Sequence, residues 1–192
     1  KTVENDGYEA LQVALEEKKE NRANKCEKGI FAKANTTPKY VIAEVKGDEI
    51  YGHNVGEAID CSIFAAGDIV DVTGTSKGRG YSGVIKRYGK HIGPKGHGSG
   101  YHRQIGSLAT NGRCNNRVHP GKKMSGHHGN TTATILNLTV VSVDASKNCI
   151  LIKGAIPGPN KSIVKIRSAV KKSGKVDVKP LVNEGESNEY YK

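Results

Sequence analysis

Apolar side chains alternate with polar ones, or crowd into short β-branched runs, in three stretches of the chain, and turn residues bound each of them. In CSIFAAGDIVDVT (61–73) the Ala66-Gly67-Asp68 triplet reads as a turn, after which Ile69, Val70 and Val72 open a strand. ATILNLTVVSV (133–143) is a β-branched run; Asp144-Ala145-Ser146-Lys147-Asn148 makes a turn, and CILIKGAI (149–156) follows as a second strand, so the two predict a hairpin. Pro157-Gly158-Pro159 breaks the chain before SIVKIRSAV (162–170). There Ile163, Lys165 and Arg167 fall on one face of a strand, with Val164 and Ile166 on the other. Short strands joined by tight turns predict a mainly β protein built on a small β-barrel.

The ends of the chain follow other patterns. In YEALQVALEEKKENRAN (8–24) the three-to-four spacing of Leu11, Ala14 and Leu15 predicts a helix, with a strand through Tyr8–Leu15 as the competing reading. Residues 174–192 are polar and acidic around Gly174 and Pro180, and are expected to form a flexible tail. No internal repeat is present.

Composition changes the picture in one region. The formal net charge is +11, with 30 Lys and Arg against 19 Asp and Glu. From Lys77 to His128 there are 11 basic residues and no acid, which leaves 19 basic against 19 acidic residues elsewhere. All of the net charge therefore lies in 77–128, together with 6 of the 7 histidines and half of the 24 glycines. With so few aliphatic residues this segment cannot bury enough surface to fold alone, and it is expected to be irregular until a polyanion neutralises it.

The same composition excludes several classes. No apolar run approaches the roughly 18 residues of a membrane span, and no basic amphipathic helix with a Leu/Phe face suits a bilayer surface, so no membrane partner is expected. The opening KTVENDGYEA lacks the apolar core of a signal peptide. Cys26, Cys61, Cys114 and Cys149 are far apart without a C-x-x-C pair, the usage of a reduced intracellular protein with no catalytic thiol.

Candidate chemistry in the basic segment is similarly thin. Gly78-Arg79-Gly80-Tyr81-Ser82-Gly83 matches G-x-G-x-x-G, but a dinucleotide site needs a helix after the turn and an acid about 20 residues on. The next acid is Asp144, and Gly89, Gly93-Pro94, Gly96, Gly98 and Gly100 cannot sustain a helix. His91, His97, His102, His119, His127 and His128 form no compact ligand set, and the surrounding cations oppose a divalent metal. Paired carboxylates are absent there, and Ser76, Ser82, Ser99, Ser107 and Ser125 have no acid-oriented histidine close in sequence. No catalytic residue, metal, cofactor or small-molecule substrate is expected.

RNA binding fits better. A merely solvated charged face would intersperse acids and helix formers, whereas here cations alternate with glycines whose backbone approaches phosphates closely. The expected RNA-binding residues are Lys77, Arg79, Lys86, Arg87, Lys90, His91, Lys95, His97, Tyr101, His102, Arg103, Arg113, Arg117, Lys122, Lys123, His127 and His128. Tyr81, Tyr88 and Tyr101 are available for stacking on bases.

FAAGDIVDVTGTSKGRGYSGVIKRYG (64–89), GSGYHRQIGSL (98–108), RVHPGKKMSGHHGN (117–130) and LIKGAIPGPNKSIVKIRSAV (151–170) closely resemble the universal large-subunit ribosomal protein L-three family, bacterial type. GYEALQV and NKCEKGIFAKA extend the resemblance over nearly all of residues 3–172. It implies a translation-protein-type β-barrel with a short helical segment and a long irregular basic extension. The expected division is a discontinuous globular domain, 1–76 with 129–172, in which 16–35 are partly helical or irregular; an arm, 77–128; and a tail, 173–192. The resemblance also implies strand at Tyr8–Val13, so that helix begins only after Leu15.

The function implied is that of a structural constituent of the large subunit, with no catalytic activity. It would bind ribosomal RNA beside neighbouring ribosomal proteins, act early in assembly, and work in cytoplasmic or organellar ribosomes. The arm would reach toward the peptidyl-transferase centre through a tip around 106–117 that includes Gly106, Ser107, Leu108, Asn111, Gly112 and Arg113. Were Lys1 the first residue, the barrel would lack the family's opening strand; the chain also departs from the family in having no Gln in Gly106-Ser107-Leu108-Ala109-Thr110-Asn111-Gly112 and in carrying His119-Pro120 where a Phe is usual. A stand-alone RNA chaperone or regulatory RNA-binding protein is the alternative that the basic segment alone leaves open.

Overall fold

The computed structural model describes residues 1–46, 52–108, 117–172 and 174–178. The chain is mainly β, with antiparallel sheets, and divides into two compact units, Lys1–Asp60 and Cys61–Lys192.

In the first unit, β1 (Leu11–Glu17) pairs antiparallel with β2 (Lys39–Val45). A one-turn helix α1 (Val3–Asp6) precedes them, and α2 (Lys25–Lys33) lies in the connection between the strands. In place of the helix expected over 8–24, the competing strand forms and runs through Glu17, and helical turns follow only after Leu15, as a 3-10 turn at Glu20–Arg22 and then α2. Leu11 and Val13 are half-buried while Gln12, Ala14 and Leu15 are exposed, so the two-residue period governs and the three-to-four spacing gathers nothing. What starts α2 is a capping box, in which Asn24 and Glu27 bond each other's backbone amides. Glu27 also accepts from Lys18 Nζ at 2.7 Å, and Phe31 is buried.

The second unit is organised by a four-stranded sheet in the order β7-β6-β3-β8, where β3 is Ile69–Thr75, β6 Thr132–Asp144, β7 Cys149–Lys153 and β8 Val164–Ser168. The turn at Ala66-Gly67-Asp68 is present, with Gly67 at φ 90° and the Asp68 carboxylate accepting from the Ala65 amide at 2.7 Å. The β6–β7 hairpin also forms as the pattern predicts. Its turn is shaped by Asp144, whose Oδ1 accepts from the Ser146 hydroxyl at 2.6 Å and from the amides of Ser146 and Lys147. In β8, Val164 and Ile166 are half-buried and Lys165 and Arg167 exposed, as the alternation requires. Among the described residues the ladders do not close into a barrel.

Val70, Val72 and Val140 are wholly buried, and Phe64, Leu138, Val143, Ile150, Ile152, Val164 and Ile166 pack around them. Asp71, between the two valines, is wholly buried as well. Leu136 and Asn137 of β6 stand against that single residue, forming a bulge in which Asn137 takes φ 58° and donates its amide to Asp71 Oδ1 at 2.9 Å. The Val170 amide at 3.4 Å and the Arg167 guanidinium at 3.8 Å approach the other carboxylate oxygen. A carboxylate buried this way is tolerable because an amide of β6, an amide just past β8 and a cation satisfy it. The chain after β8 turns back, with the Val176 amide donating to the Gly67 carbonyl at 2.8 Å; residues 179–192 lie outside the described residues.

Candidate nucleic-acid interface

The basic segment grows directly out of the sheet. Beyond Thr75 and before Thr132 the two chains continue as a ribbon: the Ser76 amide donates to Thr131 O, the Asn130 amide to Ser76 O, the Arg79 amide to His128 O and the His128 amide to Gly80 O. β4 (Tyr81–Ser82) and β5 (Gly126–His127) then pair antiparallel. Gly129, at φ 76°, lies so close to the Lys77 carbonyl that a side chain there would collide with it.

A short helix α3 (Val84–Tyr88) follows, ended by Gly89 in the left-handed conformation. Arg87 reaches from it across the ribbon to donate to the Met124 carbonyl at 3.0 Å, and its guanidinium lies where a Cβ on Gly126 would stand. The Tyr88 ring receives Arg87 at 5.1 Å and Lys123 at 5.4 Å. Tyr81 meets His127 edge to face with ring centroids 6.0 Å apart, and is 72% exposed. Between α3 and β5 no described residue is in a helix or strand.

That stretch is held by local contacts. Gly93 donates its amide to the His102 carbonyl at 2.8 Å and packs on Tyr101 so tightly that only glycine fits. His102 Nδ1 lies 2.9 Å from the Pro94 carbonyl, and the Tyr101 hydroxyl donates to Gln104 O at 2.9 Å. Lys122 Nζ donates to Ser107 O at 3.2 Å, tying the descending limb to the start of the tip.

Beside the ribbon's root the surface is concave. An open cleft of about 410 Å³ is lined by Ser76, Lys77, Arg79, His128, Gly129, Thr131, Ile156 and Gly158. A second hollow, bounded by Gly78, Gly80, His127, His128, Gly129, Asn130 and Thr131, shares several of these residues.

Residues 54–149, which hold the arm and the strands that root it, match the family described as Ribosomal protein L3. Along the chain, 53% of 171 residues are identical to the large ribosomal subunit protein uL3 of Oceanobacillus iheyensis, covering 89% of this chain and 81% of that protein. The chain belongs to the ribosomal protein L3 family. Proteins of the same name from Bacillus mycoides and Geobacillus stearothermophilus are 49% and 50% identical, over 90% and 91% of the chain.

In this family member the expected RNA-facing residues are not equivalent. Lys77, Arg79, Lys86, His91, Lys95, His97, Arg103, Arg117 and Lys123 are exposed along the arm. Lys90 is half-buried, while Tyr101 and His102 are exposed at their rings but engaged in shaping the loop. Arg87 and Lys122 are half-buried and bonded to carbonyls of the arm itself, so they brace it as well as charge it. His127 pairs with Tyr81, and His128 is half-buried in the cleft. Gly106, Ser107 and Leu108 are exposed, whereas Asn111, Gly112 and Arg113 lie outside the described residues. Sequence reasoning missed Ser76, Thr131, Ile156 and Gly158 as parts of one cleft. Pro157-Gly158-Pro159 signalled only a chain break, and nothing local says that this break faces the arm's root.

Among the described residues no three His, Cys, Asp or Glu side chains converge as a metal site would require. No helix among them is long and apolar enough to cross a membrane.

Proposed function

We propose that this ribosomal protein L3 family member is a structural, ribosomal RNA-binding constituent of the large ribosomal subunit and not an enzyme. The observation that carries the reading is the rooting of a segment holding the whole net charge of +11 on the two central strands of the sheet. A rigid base aims the arm, and the arm's cations neutralise phosphates where RNA helices converge. Cations interleaved with glycine follow an irregular backbone, and the exposed Tyr81 offers a stacking face.

The finer reading follows the family. Residues 1–76 and 129–172 serve as a discontinuous barrel-type domain that docks on folded RNA next to other large-subunit proteins, followed by a tail over 173–192. The arm, 77–128, extends toward the peptidyl-transferase centre, and the protein joins early in assembly. Support for the division comes from the pairing of β3 with β6, which brings the two ends of the arm together. Its place of work is the ribosome, cytoplasmic or organellar.

The test is equilibrium binding of the chain, with and without 77–128, to large-subunit ribosomal RNA and to an unrelated structured RNA across a salt series. With about eight arm cations on phosphates, log K should fall against log[salt] with a slope near −6 to −7. A slope shallower than about −2 contradicts an arm-driven interface. Equal, arm-dependent binding to both RNAs would instead favour a general RNA chaperone.

A further inference from the structure

We infer that the cleft at the root of the arm receives one RNA nucleotide displaced from its helix, held by phosphate and base together. This deepens the RNA-binding reading and rests on it. At about 410 Å³ the cleft falls in the range of small-molecule sites and exceeds what a lone phosphate fills. Its lining is chemically mixed. Lys77 and Arg79, two residues apart on the ribbon, present cations, and no lining residue is acidic. Ile156, 47% exposed, supplies an apolar contact from the loop after β7.

His128 lines the same cleft, and its buried Nδ1 has no hydrogen-bond partner in the chain. A buried polar nitrogen without a partner is costly, and turning the imidazole toward the cleft would let a base edge or ribose hydroxyl satisfy it. A groove that merely tracked phosphates would need no apolar contact and no such nitrogen. Bases inside an intact helix are stacked out of reach, so the nucleotide that touches Ile156 has to be unpaired and turned outward.

The test is titration of the isotope-labelled full chain, read by NMR at the amides of Gly78, Gly129 and Thr131. Four ligands are compared: adenosine monophosphate, inorganic phosphate, a blunt RNA duplex, and the same duplex with one bulged adenosine. Adenosine monophosphate and the bulged duplex should move the three amides saturably, whereas phosphate and the blunt duplex should move them at least about tenfold more weakly. Ile156→Ser, at a position exposed enough not to unfold the chain, should weaken the first two by about fivefold. Arg79→Ala should weaken them by about tenfold.

The proposal is overturned if all four ligands act alike, if none acts, or if Ile156→Ser leaves the preference for the bulge intact. Ribosomal RNA binding across the salt series separates the two levels. A steep slope with silent cleft amides removes the nucleotide site alone, and no binding at all removes the RNA-binding reading with it.

Discussion

The four-stranded sheet and the basic arm are continuous in chain and opposite in physics. In the sheet, Val70, Val72 and Val140 are wholly buried and even Asp71 is buried with its oxygens satisfied. In the arm, only Ser82 and Val84 are buried among the described residues, and 11 cations face no acid of their own segment. Stability therefore resides where apolar side chains leave water, and affinity where cations remain available to a polyanion. The ribbon from Ser76 to Ser82 and from Gly126 to Thr131 is the joint between them, built from backbone bonds and braced by Arg87.

The sharpest way to break this division is to remove the arm. Joining Ser76 to Gly129 through a short linker should cost about a thousandfold or more in affinity for large-subunit RNA at moderate salt. The urea midpoint should hardly move, because the core is untouched; a large loss of stability would mean that the arm takes part in the fold. The reverse experiment is Asp71→Ala, which orphans the Asn137 amide and leaves a void beside Arg167. It should cost about 3 kcal/mol in urea unfolding, and Val140→Ala about 2–3 kcal/mol. Either variant, measured where it is still folded, should keep the salt slope of the parent.

Smaller effects probe the joint. Arg87→Lys preserves charge but loses the planar donor that meets the Met124 carbonyl, so amide exchange at Tyr81 and His127 should quicken and RNA affinity fall about fivefold with an unchanged slope. Lys86→Ala, at an exposed cation on the same helix, should instead flatten the slope by about 0.7–0.9 and leave exchange alone.

The smallest effect lies at the far end of the sheet. The Ser146 hydroxyl, chiefly, and the amides of Ser146 and Lys147 hold the Asp144 carboxyl below its ordinary value of 3.8 against a partial desolvation that raises it. A depressed carboxyl stabilises the fold above its unfolded value, and that contribution is lost as pH falls through the folded value. Ser146→Ala should therefore flatten the acid limb of stability slightly below about pH 4 while leaving RNA binding unaltered.

Legibility differed between the two regions for physical reasons. The strands around Ile150 and Val164 were readable because each buries one face, and burial imposes a period of two on the residues themselves, while those around Val70 and Val140 were readable as short β-branched runs beside turn residues. The stretch after Tyr8 was open to both helix and strand because Leu11 and Leu15 fit either period, and pairing with β2 decides for the strand. The capping box of Asn24 and Glu27 was the local signal that would have placed α2. In the arm, charge and glycine are visible in any order of reading, but their division of labour is not. Arg87 and Lys122 look like Lys86 and Lys123 in the sequence, yet each turns to a carbonyl of the arm.

By itself the sequence determined which segments bury apolar surface, where the turns fall, that all the net charge lies in one acid-free stretch, and to which family these motifs belong. Those properties are local, or sums over local properties, and need no knowledge of contacts. Only the tertiary structure decided that β3 lies between β6 and β8, that Asp71 anchors a bulge 66 residues away at Asn137, and that Ile156 lines one cleft with Lys77 and Arg79. Each of these depends on strands brought together across long loops, and the partner of a buried group is chosen by the whole fold, not by its neighbours in sequence.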